Sequence, residues 1–321
     1  MAFLAARLPG LALAVCASFA AAQTYPAKPV RFVAPYPAGG VNDVVARVLA
    51  ERLTQSLGQQ WLVENRPGRG GNIGTDFAAK AAPDGYTLLH GGMGSLTLGP
   101  FLGKVPYDTM RDFAAVTLTA RAPNVIAVHP SLPVKSLKEL IALAKAQPGT
   151  LNYATSGIGS TPHLTAALFE SMARVRMTHI PYKGGPPATV DVIAGQVPVG
   201  FMPISTLLPH IRAGRLRALG VSGTRRSPTL PEVPTVGEAA LAGFEMNPWF
   251  GVLAPAAVPR EIVTKLNAEL VRLLRVPEVG ALLASQGVEA AYSSPEEFAA
   301  VIRSDLRTWP KVIREAGIRG E

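Results

Sequence analysis

The chain has 321 residues, a formal net charge of +9 from 31 basic and 22 acidic side chains, and one cysteine, Cys16. A single cysteine excludes a disulfide framework and a cysteine metal cluster. The basic residues are scattered as singles and pairs such as Arg225-Arg226, without the clustered stripe that nucleic-acid binding requires, although a positive field favours anionic ligands.

Residues 1–22 read as a secretory signal peptide. Arg7 gives the charged n-region, residues 11–22 form an apolar run too short to span a bilayer, and Ala20-Ala21-Ala22 precedes Gln23 as an A-x-A cleavage site. Cleavage after Ala22 removes Cys16, and export without disulfides points to a bacterial periplasm. The remaining chain of about 300 residues is too long for one ordinary core and suits two domains. No later run reaches the roughly 18 apolar residues of a membrane span, so the mature chain is expected to be soluble.

Strand patterns follow at 30–34, 61–64, 86–90, 116–118, 125–128, 151–154, 178–182, 198–202 and 216–221. Helical patterns alternate with them. The first carries Val44, Val45, Val48, Leu49 and Leu53 and is closed by Gly58. Ser136 and Glu139 form a capping box, as do Ser294 and Glu297 with Pro295 at the first helical position, and Ile262, Leu266, Leu270 and Leu273 give an apolar stripe. The alternation predicts an α/β fold with mostly parallel sheets. Weakly structured stretches at 119–124 and 222–243 read as two crossings between domains. Residues 23–121 and 248–321 are assigned to one domain and 122–247 to the other, and two such domains around a cleft usually hinge.

The most informative stretch is Tyr36-Pro37-Ala38-Gly39-Gly40-Val41-Asn42-Asp43, between the first strand and the first helix. A glycine pair bares backbone N–H groups, and a helix start adds unpaired donors and partial positive charge, so the block suits a carboxylate. Glycine-rich loops recur at 66–74, 91–95 and 156–163, where open α/β sheets hold their ligands. None is a nucleotide motif or a G-x-S-x-G elbow. The five histidines lack paired metal-ligand spacing. His163, just inside a helix start, reads as structural or capping, Asp43 as a dipole partner or an amine ligand, and Trp249 with Phe250 as packing. Binding machinery is legible, catalytic machinery is not, and no cofactor or metal is expected.

Several motifs carry a family resemblance: Lys28-Pro29-Val30-Arg31, the opening loop, Val63-Glu64-Asn65-Arg66-Pro67-Gly68, Ala82-Pro83-Asp84-Gly85-Tyr86, Pro181-Tyr182-Lys183-Gly184, Ala194-Gly195-Gln196-Val197 and Trp249-Phe250-Gly251. In order, over essentially the whole mature chain, they resemble the Bug or TctC-type periplasmic substrate-binding proteins of tripartite tricarboxylate transporters. The resemblance implies a two-domain, type II periplasmic-binding-protein (Venus flytrap) fold with a small organic carboxylate in the interdomain cleft. By position it implies that Tyr36, Ala38, Gly39, Gly40, Asn42 and Asp43 meet one end of the ligand, with Met93 and Ser95 beside it. Ser156, Ser160, Thr161 and His163 would close from the second domain, with Tyr182 and the 198–203 strand end, including Met202, on the far wall. The family commonly carries acidic residues where Pro198 and Met202 stand here, which favours acids without an amine, aromatic ones included.

The reading is therefore a non-enzymatic, monomeric periplasmic receptor that delivers a carboxylate to two membrane subunits of a transporter. Signalling to a sensor kinase is an alternative, and a secreted serine hydrolase using Ser95, Ser156 or Ser160 is the rival from another class.

Overall fold

The structure, a computed structural model, describes residues 25–315, 317 and 318. The expected signal peptide, residues 1–22, and its expected cleavage point lie outside the described residues. Strands β1 (Val30–Ala34), β2 (Trp61–Asn65), β3 (Thr87–Gly92), β4 (Phe113–Arg121), β10 (Trp249–Pro255) and β11 (Glu289–Ala290) form one sheet in the order β11-β4-β10-β3-β1-β2. Strands β5 (Asn124–Val128), β6 (Asn152–Thr155), β7 (Thr178–Pro181), β8 (Val199–Pro203) and β9 (Arg217–Val221) form the other, in the order β7-β6-β8-β5-β9. The fold is α/β with two sheets, each carrying helices.

The sheets are mixed rather than mostly parallel. β1 pairs in parallel with β2 and β3, and β6 with β7 and β8. β10 is antiparallel to β3 and β4, and β5 is antiparallel to β8 and β9. The reason lies in the chain path. β4 ends beside the other sheet, so β5 must start there and run away; β10 starts the same way on the return. Sequence patterning identified the βαβ stretches but gave no direction for strands that a sheet crossing precedes.

Both crossings are tighter than their composition implies. β4 reaches Arg121 and β5 begins at Asn124, leaving only Ala122 and Pro123 between them. Residues 222–243 are not a loose linker: Thr235 and Glu238 form a reciprocal capping box, and Leu230, Val233 and Val236 are buried. The two crossing segments are also tied together. Ala122 N donates to Pro248 O at 2.9 Å, Asn124 N to Ser222 Oγ at 2.9 Å, and Ser222 Oγ to Met246 O at 2.6 Å.

The helix ends follow the local chemistry. Gly58 takes a left-handed φ of 71° and donates to Thr54 O at 3.1 Å, closing helix Val41–Leu57. Ser294 and Glu297 complete their capping box at 3.1 and 2.8 Å. Ser136 caps as expected, but Glu139 reaches back to Lys135 N at 2.7 Å, one residue earlier than in the usual box. Helix Arg260–Leu274 buries Leu266, Leu270 and Leu273 against the six-stranded sheet. Helix Pro295–Glu315 packs on that sheet's other side, where Phe298 meets Trp249 edge-on at 5.2 Å.

Two glycines test this packing with opposite signs. A Cβ on Gly251, in β10, would overlap the Phe298 ring and lie 2.7 Å from Thr117 O, whereas one on Gly280, inside helix Pro277–Ser285, meets nothing within 4 Å. Gly251→Ala should destabilise by about 1–3 kcal/mol through overpacking, and Gly280→Ala should stabilise by about 0.5–1 kcal/mol through helix propensity. Urea midpoints of the two variants check both signs.

Candidate binding cleft

A cavity of about 660 Å³ lies where the carboxyl ends of the parallel strands from both sheets meet. Residues 35–37 follow β1 into it, residues 67–72 follow β2, and Met93 and Gly94 follow β3. From the other sheet come residues 156–162 after β6, 182–186 after β7, and Pro203 at the end of β8. Helices Val41–Leu57, Asn72–Ala79 and Gly185–Ile193 begin at its wall from Gly40, Gly71 and Gly184, all without a side-chain cap. Their first amides are therefore left without intrahelical partners and carry the positive ends of the helix dipoles. Helix Thr161–Ala173 also starts there, but Ser160 caps it by accepting from His163 N at 3.3 Å.

Tyr36, Gly40, Asn42, Met93, Ser156, Ser160, Thr161 and Tyr182 all line the cavity. Tyr36 is the most informative. Its hydroxyl accepts from Ser95 N at 3.2 Å, its ring meets Phe250 edge-on at 6.4 Å, and its own proton has no acceptor among the described residues. Burial raises its pKa, against the opposing hydrogen bonds from Ser95, so it is a neutral donor. Tyr182 is different: its hydroxyl donates to Asp191 at 2.5 Å, and burial with Asp191 pushes its pKa up to about 12. Asn42 is 2% exposed, donates to His90 O at 2.7 Å, and keeps an unpartnered side-chain oxygen.

Ala38, Gly39, Asp43, Ser95, His163 and Met202 are not part of the lining. Asp43 is a closed carboxylate, accepting from Gly39 N at 3.0 Å, Arg47 Nε at 3.0 Å and Asn65 Nδ2 at 2.9 Å. Burial pushes its pKa up, but Arg47, Gly39 and Asn65 outweigh this and hold the carboxyl below its ordinary range. Gly39, at φ 78°, needs glycine's freedom, while Gly40 at φ −81° does not. Ser95 is wholly buried behind Tyr36, with Thr75 Oγ1 2.9 Å from its hydroxyl. Met202 is also wholly buried, beneath Ser156, whose Oγ lies 3.8 Å from its sulfur. It is floor rather than wall. Pro198 precedes β8 at the end away from the cavity, where its carbonyl accepts from His129 N at 2.9 Å.

His163 supports the cleft from behind. Its Nδ1 accepts from Gly159 N at 3.2 Å, and its ring stacks on His179 at 4.4 Å. His179 in turn lies 2.7 Å from Thr155 Oγ1, which accepts from Gly157 N at 3.1 Å. The two imidazoles thus hold opposite ends of the loop from Gly157 to Gly159. His163 faces a second cavity of about 370 Å³ that Glu170, Arg176 and Glu315 also line. Neither histidine ring bonds Ser95, Ser156 or Ser160 in the arrangement a hydrolase would use: Ser160 Oγ donates to Gly157 O at 2.6 Å instead.

Sequence reasoning missed part of the lining. Arg69, Lys104 and Lys183 are its charged side chains, and among the described residues no Asp or Glu joins them. Each adjoins a glycine in a cleft loop, a signal available in the sequence but read there as scattered surface charge. Phe250, Ile158 and Leu102 add an apolar wall. Trp249 also lines the cavity, although it is 2% exposed and its Nε1 donates to Asp305 at 2.7 Å.

Residues 45–318 match the family model described as tripartite tricarboxylate transporter family receptor, TctC. The chain belongs to that receptor family. It is 38% identical over 311 residues to protein BugT of Bordetella pertussis, covering 96% of this chain and 95% of BugT. Among solved structures, this receptor superposes on Rpa4515 of R. palustris with adipate at a TM-score of 0.88, with 36% identity, covering 92% of this chain and all of the other. It superposes on MatC of Rhodopseudomonas palustris with bound malate at 0.83, with 31% identity, covering 90% of this chain and all of MatC.

The stacked pair gives the receptor a pH dependence of definite sign. Burial depresses both His163 and His179 to about 4, and His90, wholly buried, to about 3. The unfolded chain, with ordinary histidines near 6.5, binds more protons, so stability should fall as pH drops from about 6.5 toward 4. The thermal midpoint of wild type should decline across that window, and His179→Gln should flatten the decline. A wild-type midpoint that is level there would contradict a neutral pair.

Proposed function

We propose that this receptor is exported to the periplasm, closes on a small organic carboxylate in the 660 Å³ cavity, and delivers it to the membrane subunits of a tripartite tricarboxylate-type transporter. The observation that carries the reading is electrostatic. Three uncapped helix starts and the side chains of Arg69, Lys104 and Lys183 face a volume that no described carboxylate lines. Each charge-assisted hydrogen bond to a ligand carboxylate contributes roughly 1.5–3 kcal/mol. A few of them, offset by closure, suit a micromolar receptor at about −8 kcal/mol. Relatives of the same fold that hold adipate and malate support the ligand class. Residues 23–121 with 248–321 form one closing body and 122–247 the other, with the two chain crossings, at 122–123 and at 246–248 where Ala122 N donates to Pro248 O, as the hinge.

Tyr36 has a proton to give and Tyr182 does not, so their variants should separate. Tyr36→Phe should weaken carboxylate binding about fivefold to tenfold, near 1–1.4 kcal/mol, whereas Tyr182→Phe frees Asp191 near the cleft and should act mainly on stability. Calorimetric titration with adipate, beside urea midpoints, distinguishes the two; equal affinity in wild type and Tyr36→Phe would remove Tyr36 from the ligand.

The lining also excludes an ammonium group, which would lose water without gaining a carboxylate partner. Succinate and glutarate should therefore bind at least tenfold more tightly than aspartate and glutamate in matched titrations. A wild-type preference for the amino acids would reject this exclusion. Met202→Asp does not repair the site, because its side chain is wholly buried; it should destabilise the fold by leaving an unpaired carboxylate in the core.

A further inference from the structure

The loop Gly68-Arg69-Gly70-Gly71 runs through four successive positive φ angles, 132°, 47°, 65° and 97°. Glycine fills three of these positions, as the backbone requires, and Arg69 fills the fourth. The other positive-φ residue with a side chain among the described residues is Arg174, which closes helix Thr161–Ala173 as an ordinary left-handed C-cap. Arg69 has no such role. A strained side chain in a glycine loop points to a use for the side chain itself.

Its neighbours sharpen the contrast. Arg31 and Arg66 both pair with Glu64, at 3.3 and 2.5 Å, and Arg47 pairs with Asp43 at 3.0 Å. Arg69 is exposed, lines the cavity, and has neither an ion pair nor a side-chain hydrogen bond among the described residues. Its loop also lies at the cleft rim: a Cβ on Gly70 would stand 3.8 Å from Ile158 O of the facing loop. Lys104 and Lys183 are likewise unpaired among the described residues, but neither has a positive φ, and an ammonium lacks the planar fork that pairs two carboxylate oxygens at once.

We propose that Arg69 is a specificity-determining residue that receives a second anionic group of the ligand. The first carboxylate sits on the amide donors at the start of helix Val41–Leu57, and Arg69 closes over the other end from the rim. The guanidinium thereby separates dicarboxylates from monocarboxylates of the same length. This inference rests on the carboxylate-receptor reading above.

Adipate and hexanoate, equal in chain length, are the probes, titrated by calorimetry into wild type, Arg69→Gly and Arg69→Lys. Arg69→Gly suits the left-handed backbone, so its ligand-free thermal midpoint should be no lower than that of wild type. It should weaken adipate at least tenfold, about 1.4 kcal/mol, and hexanoate less than twofold. Arg69→Lys should fall between wild type and glycine for adipate alone. Equal losses for both acids, or unchanged adipate affinity in Arg69→Gly, would overturn the assignment of Arg69 while leaving the receptor reading in place. Binding by wild type of none of adipate, hexanoate, succinate and glutarate would overturn both.

Discussion

Helix starts leave their first backbone amides without intrahelical acceptors, and the cleft depends on where the fold sends those amides. In this chain the parallel strands β1, β2 and β3 of one sheet, and β6, β7 and β8 of the other, all end at the same cavity. Each helix that follows such a strand begins there. The antiparallel strands β5 and β10 are a consequence of the same geometry. The chain changes sheets on the cleft side, so the strand after each crossing starts at the cavity and runs outward, which is how Phe250 comes to lie opposite Gly92.

An anion-directed cavity also needs its neighbouring carboxylates withdrawn. Asp43 would otherwise sit beside the unpaired amides of helix Val41–Leu57 and compete for them. It is instead committed to Arg47, Asn65 and the Gly39 amide. Asp191 is occupied by the Tyr182 hydroxyl. Behind the lining, fixed groups hold the donors in place: Ser95 anchors Tyr36, His90 anchors Asn42, and the His163–His179 stack anchors the loop at Gly157 and Gly159. Support of this kind lets main-chain donors meet a ligand without reorganising.

The sequence made the βαβ rhythm legible because buried strands and amphipathic helices have different hydrophobic periods. β10 escaped because Trp249-Phe250-Gly251 offers no alternation and ends in Pro255, and β11 is only two residues long. At the cleft, glycine loops were legible as backbone chemistry, whereas side-chain direction was not. Ser95, Met202 and His163 are near the cavity in the chain, yet face the core or the far side of the loop. Strand residues alternate faces, so a residue one position from a cleft loop can lie wholly inside. Arg69, Lys104 and Lys183 were overlooked for the converse reason: isolated cations carry little information until a fold brings three loops together.

Recognition by main chain and recognition by side chain make different demands on such a receptor. Backbone amides at helix starts register a carboxylate without recording the rest of the molecule. On the proposed reading, discrimination falls to what stands farther up the walls: the cations at the rim and the apolar surface of Met93, Leu102, Ile158 and Phe250. Adipate and malate differ in length and in hydroxylation, yet relatives superposable on this chain hold one or the other. On the proposed reading, a floor of amides with substitutable walls would let one fold serve either acid. Altering a rim residue leaves the helix starts, and hence the fold, untouched, whereas moving a helix start would displace the strand before it and the sheet behind.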